Sequence, residues 1–332
     1  MKILTDFPRF PQKWTSGSHH GETSTRLVGA TFKDTIRLWS EFRAADLILV
    51  HAGASTVSWL VIIFALVPFI RKPLVVVDLI LRKPKTPKQR FLVWFKKQIF
   101  RRVDHFVNYF RDTSRYNAIY GIDSDRCSYI PFKSNLFGDP RLATSLARQK
   151  EDYVYAAGWS LRDYDTFFAA VEAVGYPAAM PEPDFARLRE HGSRLTWPKE
   201  KRPKNLRFLP DSGDRDAWLR NLSGARVVVV PIIRDSLCSS GVSVYLDSML
   251  LKKCVIISHG PGVSDVLTDQ AILVPPEDPG ALAEAIRRVW EDASERQAVA
   301  ERGQRYAQSL GGEPELMRRV LESALKWYLK TQ

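Results

Sequence analysis

The sequence predicts an α/β protein of two doubly wound, Rossmann-like domains facing a central cleft. Three observations predict it. Short runs rich in Val, Ile and Leu, among them "ADLILVHAGAS" (45–55) and "RKPLVVVDLIL" (71–81), alternate with longer helical patterns. That is the order of β-α-β units with parallel strands and right-handed crossovers. The alternation restarts at "DYVYAAG" (152–158) and continues through "RVVVVPIIRD" (226–235) and "CVIISHGPGV" (254–263). Charge also divides the chain: residues 1–150 carry 25 Lys and Arg against 11 Asp and Glu, and the rest carry 24 against 26. With 332 residues, 45% hydrophobic and 26% charged, there is material for two globular cores. The expected boundaries are a basic N-terminal domain over 1–135, a linker over 136–150, a second domain over 151–310, and a closing helical segment over 311–332.

In the first half, residues 52–70 are 19 uncharged residues in a row. Strands abut them on both sides and Pro68 ends them, so they read as an apolar crossover helix rather than a membrane span. "RFLVWFKKQIFRRV" (90–103) places Phe91, Trp94, Phe95, Ile99 and Phe100 at helical spacing with cations between them. Between Asp78 and Asp104 stand nine basic residues and no acid. "DHFVNYF", "TSRYNAIYGI" and "CSYIPF" then read as strand, helix and strand. Near the start, "WTSGSHHGET" (14–23) reads as a Gly/Ser/His-rich loop holding Gly17, His19 and His20. "MKILTDFPRF" has no apolar core of a signal peptide. The three cysteines are far apart and form no CxxC or Cys/His cluster, which fits a reducing compartment and points to no metal site.

The basic half is built to meet something anionic. Mixed aromatic and cationic residues, with Arg90, Trp94, Lys96, Lys97, Arg101 and Arg102 as the surface, suit anionic lipid headgroups or a lipid-linked ligand. The alternative is an apolar stripe in the core beneath a solvated cationic face. Nucleic acid is not the expected partner, since the segment shows no helix-turn-helix, zinc finger or stacking platform.

The second half opens with a strand into Gly158 and an amphipathic helix, "DYDTFFAAVEAV" (163–174). Residues 176–206 read as irregular apart from a helix in "PDFARLREHG" (183–192). "LRFLP" and "RDAWLRNLSGA" lead to the all-valine strand 226–230. Shortly after that strand, "SLCSSGVSVYLDSML" (236–250) puts Ser239, Ser240, Gly241 and Ser243 directly onto an apolar helix carrying one acid, Asp247. Strand, short loop, small polar residues and helix present backbone N–H groups to a phosphate.

From the all-valine strand through "ISHGPGVSDVLTDQAILVPPEDPGALAEAI", the second half resembles the nucleotide-sugar half of GT-B glycosyltransferases, family 4 in particular. The resemblance covers about residues 152–310 and keeps the order of that family's elements. It implies a GT-B architecture and an enzyme, a retaining hexosyltransferase that moves a sugar from a nucleotide diphosphate sugar, UDP-linked by expectation. The acceptor would be a glycan or a lipid-linked acceptor at the cytoplasmic membrane face, as in polysaccharide biosynthesis. No cofactor and no metal is expected. The donor diphosphate falls to Arg162, Ser240, Gly241, Val242 and Ser243, and the ribose to Asp247. His51 and Ser239 would serve the transferred sugar, with Ser239 standing where many family members have a glutamate. Arg234, His259 and Gly260 are weaker candidates for the sugar and phosphate loops, and Leu209 with Pro210 for framing the base. Asp163 would cap the next helix or grip Arg162. Two rivals share the fold: a nucleotide-sugar epimerase, and a non-catalytic partner.

Overall fold

The structure, a computed structural model, describes every residue except 18, 27–32, 34–35, 52, 148–152, 199–200, 212 and 332. The end of the expected linker, 148–150, therefore lies outside the described residues. The chain forms two compact units, Met1–Pro131 with Pro314–Gln332, and Phe132–Glu313.

The first unit holds a seven-stranded sheet: β1 (Lys2–Thr5), β2 (Lys13–Ser16), β3 (His19–Thr25), β4 (Leu47–Val50), β5 (Leu74–Val77), β6 (His105–Asn108) and β7 (Cys127–Tyr129). Their order is β2-β3-β1-β4-β5-β6-β7. All neighbours are parallel except β2, which pairs antiparallel with β3. The stretch expected as a loop at 14–23 is thus a hairpin. Gly17 supplies a left-handed turn at φ 59°. Gly21 lies against the buried Trp14 ring and the Met1 carbonyl, leaving no room for a Cβ.

β4, β5 and β6 are buried along their whole lengths, as crossover helices on a parallel sheet demand. The helix after β4, Ala54–Leu66, is 13 residues long. Among the described residues no helix is long and apolar enough to cross a membrane. The aromatic helix starts at Pro87 and ends at Phe100, with Thr86 and Gln89 closing a capping box. Its amphipathicity is inverted. Phe100 is its one buried side chain, whereas Phe91 is 64%, Trp94 57% and Phe95 46% exposed, and Lys96 and Lys97 are half-buried. The aromatic stripe is therefore not core. The last helix, Glu313–Lys330, buries Leu316, Met317, Val320, Leu321, Ala324 and Leu325. Within the first unit Ser323 Oγ meets Ser128 Oγ at 2.7 Å, and Trp327 stacks on His105 at 5.5 Å.

The second unit holds six parallel strands: β8 (Tyr153–Ala156), β9 (Ala178–Pro181), β10 (Leu206–Leu209), β11 (Ala225–Val230), β12 (Cys254–Ser258) and β13 (Ile272–Val274). Their order is β10-β9-β8-β11-β12-β13. The chain builds outward from β8 in one direction, then returns to β11 and builds outward in the other. β8 and β11 flank the topological switch point, where open α/β sheets take ligands at the carboxyl ends of strands. The tract expected to be irregular contains β9 and the helix Phe185–Glu190. Cores cover both sheet faces, one around Tyr155, Val228, Leu246 and Met249, the other around Val154, Phe167, Val229 and Ile286.

Candidate functional site

A cavity of about 560 Å³ opens in the second unit at the carboxyl ends of β8, β9 and β10, beside the helix after β11. Its wall takes Gly158 and Trp159 after β8, residues 180–183 at the end of β9 and beyond, Asp211, Gly213, Asp214 and Arg215 after β10, and Ser243, Val244 and Asp247 from the helix. The switch point thus carries a built concavity within one unit.

The helix in question, Val242–Leu250, begins differently from its neighbours. Asp163, Asp184, Asp214, Asp278 and Asp292 each cap a helix of this unit by accepting a backbone N–H. Val242–Leu250 instead follows Gly241, at φ 82°, which has no side chain to cap the first amides. Those N–H groups have no partner inside an α-helix and carry the positive end of its dipole.

Arg162 sits close to that helix start. Expected to present its fork to the diphosphate, it is 3% exposed. Its Nε donates to the Ala157 carbonyl at 3.1 Å, and one terminal nitrogen donates to the Ser160 carbonyl at 2.6 Å and to Ser240 Oγ at 3.0 Å. Ser240 Oγ in turn donates to the Ser160 carbonyl at 2.9 Å. The guanidinium underlies both glycine turns: a Cβ at Gly158 would run into it, and one at Gly241 would stand 3.5 Å from it and press on Val230. Arg162 fastens the 157–160 loop to the helix start, and its hydrogen-bond acceptors are neutral oxygens. Burial pushes its pKa down, the response of a cation short of a counter-charge.

Asp163 caps the helix Tyr164–Val174 through Thr166 and grips Arg194, whose nitrogens lie 2.6 and 3.1 Å from its two oxygens; it does not hold Arg162. Asp247 is buried as well. It is 2% exposed, with Oδ1 accepting from Ser134 Oγ at 2.8 Å, Asn135 N at 2.8 Å and Leu136 N at 3.2 Å, and Oδ2 accepting from Trp218 Nε1 at 3.0 Å. Burial raises its pKa against the pull of those four donors. It borders the cavity, but its oxygens already tie residues 134–136 and Trp218 together.

Of the remaining candidates, Ser239 and Ser243 are half-buried, Val242 is buried, and Ser243 lines the cavity. Arg234 is turned to Glu277 at 3.2 Å and to the Pro276 carbonyl. His259 is exposed and shares Ser264 Oγ with the Gly260 amide, while open space stands where a Gly260 Cβ would be. Leu209 packs on the core and Pro210 spends its carbonyl on Asn221, so the cavity wall begins one residue later, at Asp211. Sequence reasoning missed Trp159, with the Arg187 guanidinium 4.2 Å above its ring, and the 180–183 wall. The Trp after Gly158 was visible as a signal; "AAMP" was not.

The first unit gathers a second set of groups. Asp6, His51 and Asp78 directly succeed β1, β4 and β5, three neighbouring parallel strands. Asp6 Oδ1 accepts the His51 amide at 2.7 Å, and His51 Nε2 lies 3.9 Å from Asp78 Oδ2. The His51 ring rests 5.2 Å from that of Phe7. Burial raises the Asp6 carboxyl above the usual range, opposed by the His51 amide and ring. Spacing along the chain singles out no acid/base pair, yet the runs "KILTD", "LILVH" and "LVVVD" each end in one of these groups, staggered by one residue from strand to strand.

Two doubly wound units with these sheets have the GT-B fold of glycosyltransferases, and solved structures share it. Sucrose-phosphate synthase from Thermosynechococcus elongatus is 15% identical, with a TM-score of 0.66 over 99% of this chain and 89% of that one. Anabaena HepE in complex with UDP-glucose is 13% identical, with a TM-score of 0.66 over 98% of this chain and 100% of that one. The trehalose 6-phosphate synthase from Burkholderia multivorans is 16% identical, with a TM-score of 0.61 over 90% and 75%. A family model described as glycosyl transferases group 1 matches residues 186–292, within the second unit. No curated protein matches the chain in sequence.

Proposed function

We propose that this protein is a retaining glycosyltransferase that takes its donor, a UDP-sugar, in the cavity of the second unit. The observation that carries the reading is the pairing of Arg162 with the uncapped helix start: a buried cation with neutral acceptors underlies two glycine turns and a set of amides without a side-chain cap. A diphosphate resting on Gly158, Gly241, Val242 and Ser243 supplies the missing negative charge, and the low local dielectric strengthens the attraction. Trp159 under Arg187 offers a flat wall for a base. Arg162 then acts through the loops it braces, stabilising charge on the leaving diphosphate without touching it.

The UDP donor is supported by HepE, a protein of the same fold in complex with UDP-glucose. Retention rests on the resemblance, in which the leaving phosphate takes the acceptor's proton and no metal is required. His51 stands as the first unit's candidate for the sugar. The acceptor is a glycan or a lipid-linked acceptor of polysaccharide synthesis, met at the cytoplasmic face of an anionic membrane.

Titration calorimetry with UDP, GDP and ADP tests this on the wild type and Arg162→Met. Micromolar UDP binding that weakens at least tenfold, about 1.4 kcal/mol, is the expected result. Equal UDP affinity in a folded variant would remove Arg162 and the helix start from the donor site.

A further inference from the structure

We propose that the first unit inserts into anionic lipid bilayers through the outward aromatic face of helix Pro87–Phe100, assisted by the turn Pro68–Ile70. This deepens the membrane partner of the proposed function and rests on that reading. It replaces adsorption of charge on charge with penetration of the headgroup layer.

Position comes first. Eleven large hydrophobic side chains are exposed among the described residues, and seven of them fall between residues 66 and 95. Leu66 is 67% and Phe69 77% exposed, at the end of the helix that packs beside Pro87–Phe100. On the aromatic helix, Phe91 and Trp94 each meet Phe95 edge-on, at 5.1 and 4.8 Å. The rings therefore stand ordered before any partner arrives, which lowers the entropy lost on docking. A water-facing helix normally turns such residues inward, and this one turns inward Phe100 and the stems of Lys96 and Lys97.

Charge selects the occupant. The nine cations between Asp78 and Asp104, with no acid among them, match a negative surface. A nucleic acid would use the cations and leave Leu66, Ile80 and Leu92 in water. An apolar protein groove would cover the rings and leave the cations unanswered. An anionic bilayer takes both. Each Lys or Arg near the headgroups adds electrostatic attraction, and each aromatic or aliphatic side chain brought out of water adds hydrophobic stabilisation. At 14 residues the helix is about 21 Å long and lies in the interface plane rather than crossing it.

Flotation of the whole protein with phosphatidylglycerol-containing vesicles, and with phosphatidylcholine vesicles alone, tests the proposal. The wild type is compared with Phe91→Ser/Trp94→Ser/Phe95→Ser, whose changes lie at exposed positions, and each protein is checked for folding by circular dichroism. The wild type is expected to float with the anionic vesicles and to stay bound when molar salt, which screens charges beyond about 3 Å, is added afterwards. The triple variant is expected to bind at least tenfold more weakly and to be stripped by salt. Full release of the wild type by salt, or equal binding by the folded triple variant, overturns insertion and leaves adsorption standing. Failure to bind any anionic vesicle overturns insertion and the membrane reading together, while nucleotide binding is scored separately.

Discussion

Asp247 takes four hydrogen bonds inside the second unit, so its removal strands donors from two distant chain segments at once. Asp247→Ala is expected to lower stability on the order of 3 kcal/mol, read as a drop in urea midpoint. If Asp247 only bound ribose, the midpoint would hold and nucleotide affinity alone would change. Gly241 belongs to the same scale. Its φ of 82° and the proximity of Val230 and Arg162 leave no comfortable place for a side chain. Gly241→Ala is expected to weaken UDP binding in calorimetry more than Ser239→Ala does, because it shifts the helix start itself. A buried acid on an apolar helix is legible, but whether its oxygens face a ligand or a distant loop depends on residues 134–136, more than a hundred positions away.

At the scale of elements, the last helix stacks Trp327 on His105, a buried imidazole. Burial, with the nearby charge of Arg126, pushes that imidazole down to about 4. An unfolded chain takes up the proton near 6.5. Between those values the unfolded state binds more protons, so stability is full above about 6.5 and falls as pH drops toward 4, by on the order of 3 kcal/mol at most. Urea midpoints from pH 7 to pH 4 are expected to fall for the wild type, and the slope is expected to flatten in His105→Phe, which keeps a ring against Trp327. An unchanged slope would place the acid sensitivity elsewhere. The elements themselves are legible in proportion to their β-branched content. β4, β5 and β11 stand out because "LILV", "LVVV" and "ARVVVV" favour strands, while β9 is built of "AAMP" and takes its state from β8 and β10 alone. The β2–β3 hairpin is hidden in the sequence because its strands are polar and its histidines mimic a loop. The helix 87–100 is legible as a helix and illegible in orientation: spacing marks a stripe without saying which way it faces.

On the scale of the whole molecule, the first unit is discontinuous, with residues 314–332 completing a body begun at residue 1. Truncation after Gly312 removes the buried face formed by Leu316, Val320 and Leu325. Limited proteolysis of that variant is expected to cut within residues 1–131 first and spare 132–312; loss of both at equal rates would deny the units separate stability. The restart of the β/α pattern at residue 152 and the charge imbalance make the existence of two bodies readable. The chain's return to the first is implied by the resemblance alone.

This return imposes an order on biosynthesis. Residues 1–131 leave the ribosome before residues 132–313, yet the surface of His105 and Ser128 waits uncovered until the helix Glu313–Lys330 emerges. The second unit, continuous in the chain, has all its strands available earlier. A nascent chain therefore carries a finished second unit while its basic first unit is still open along one flank.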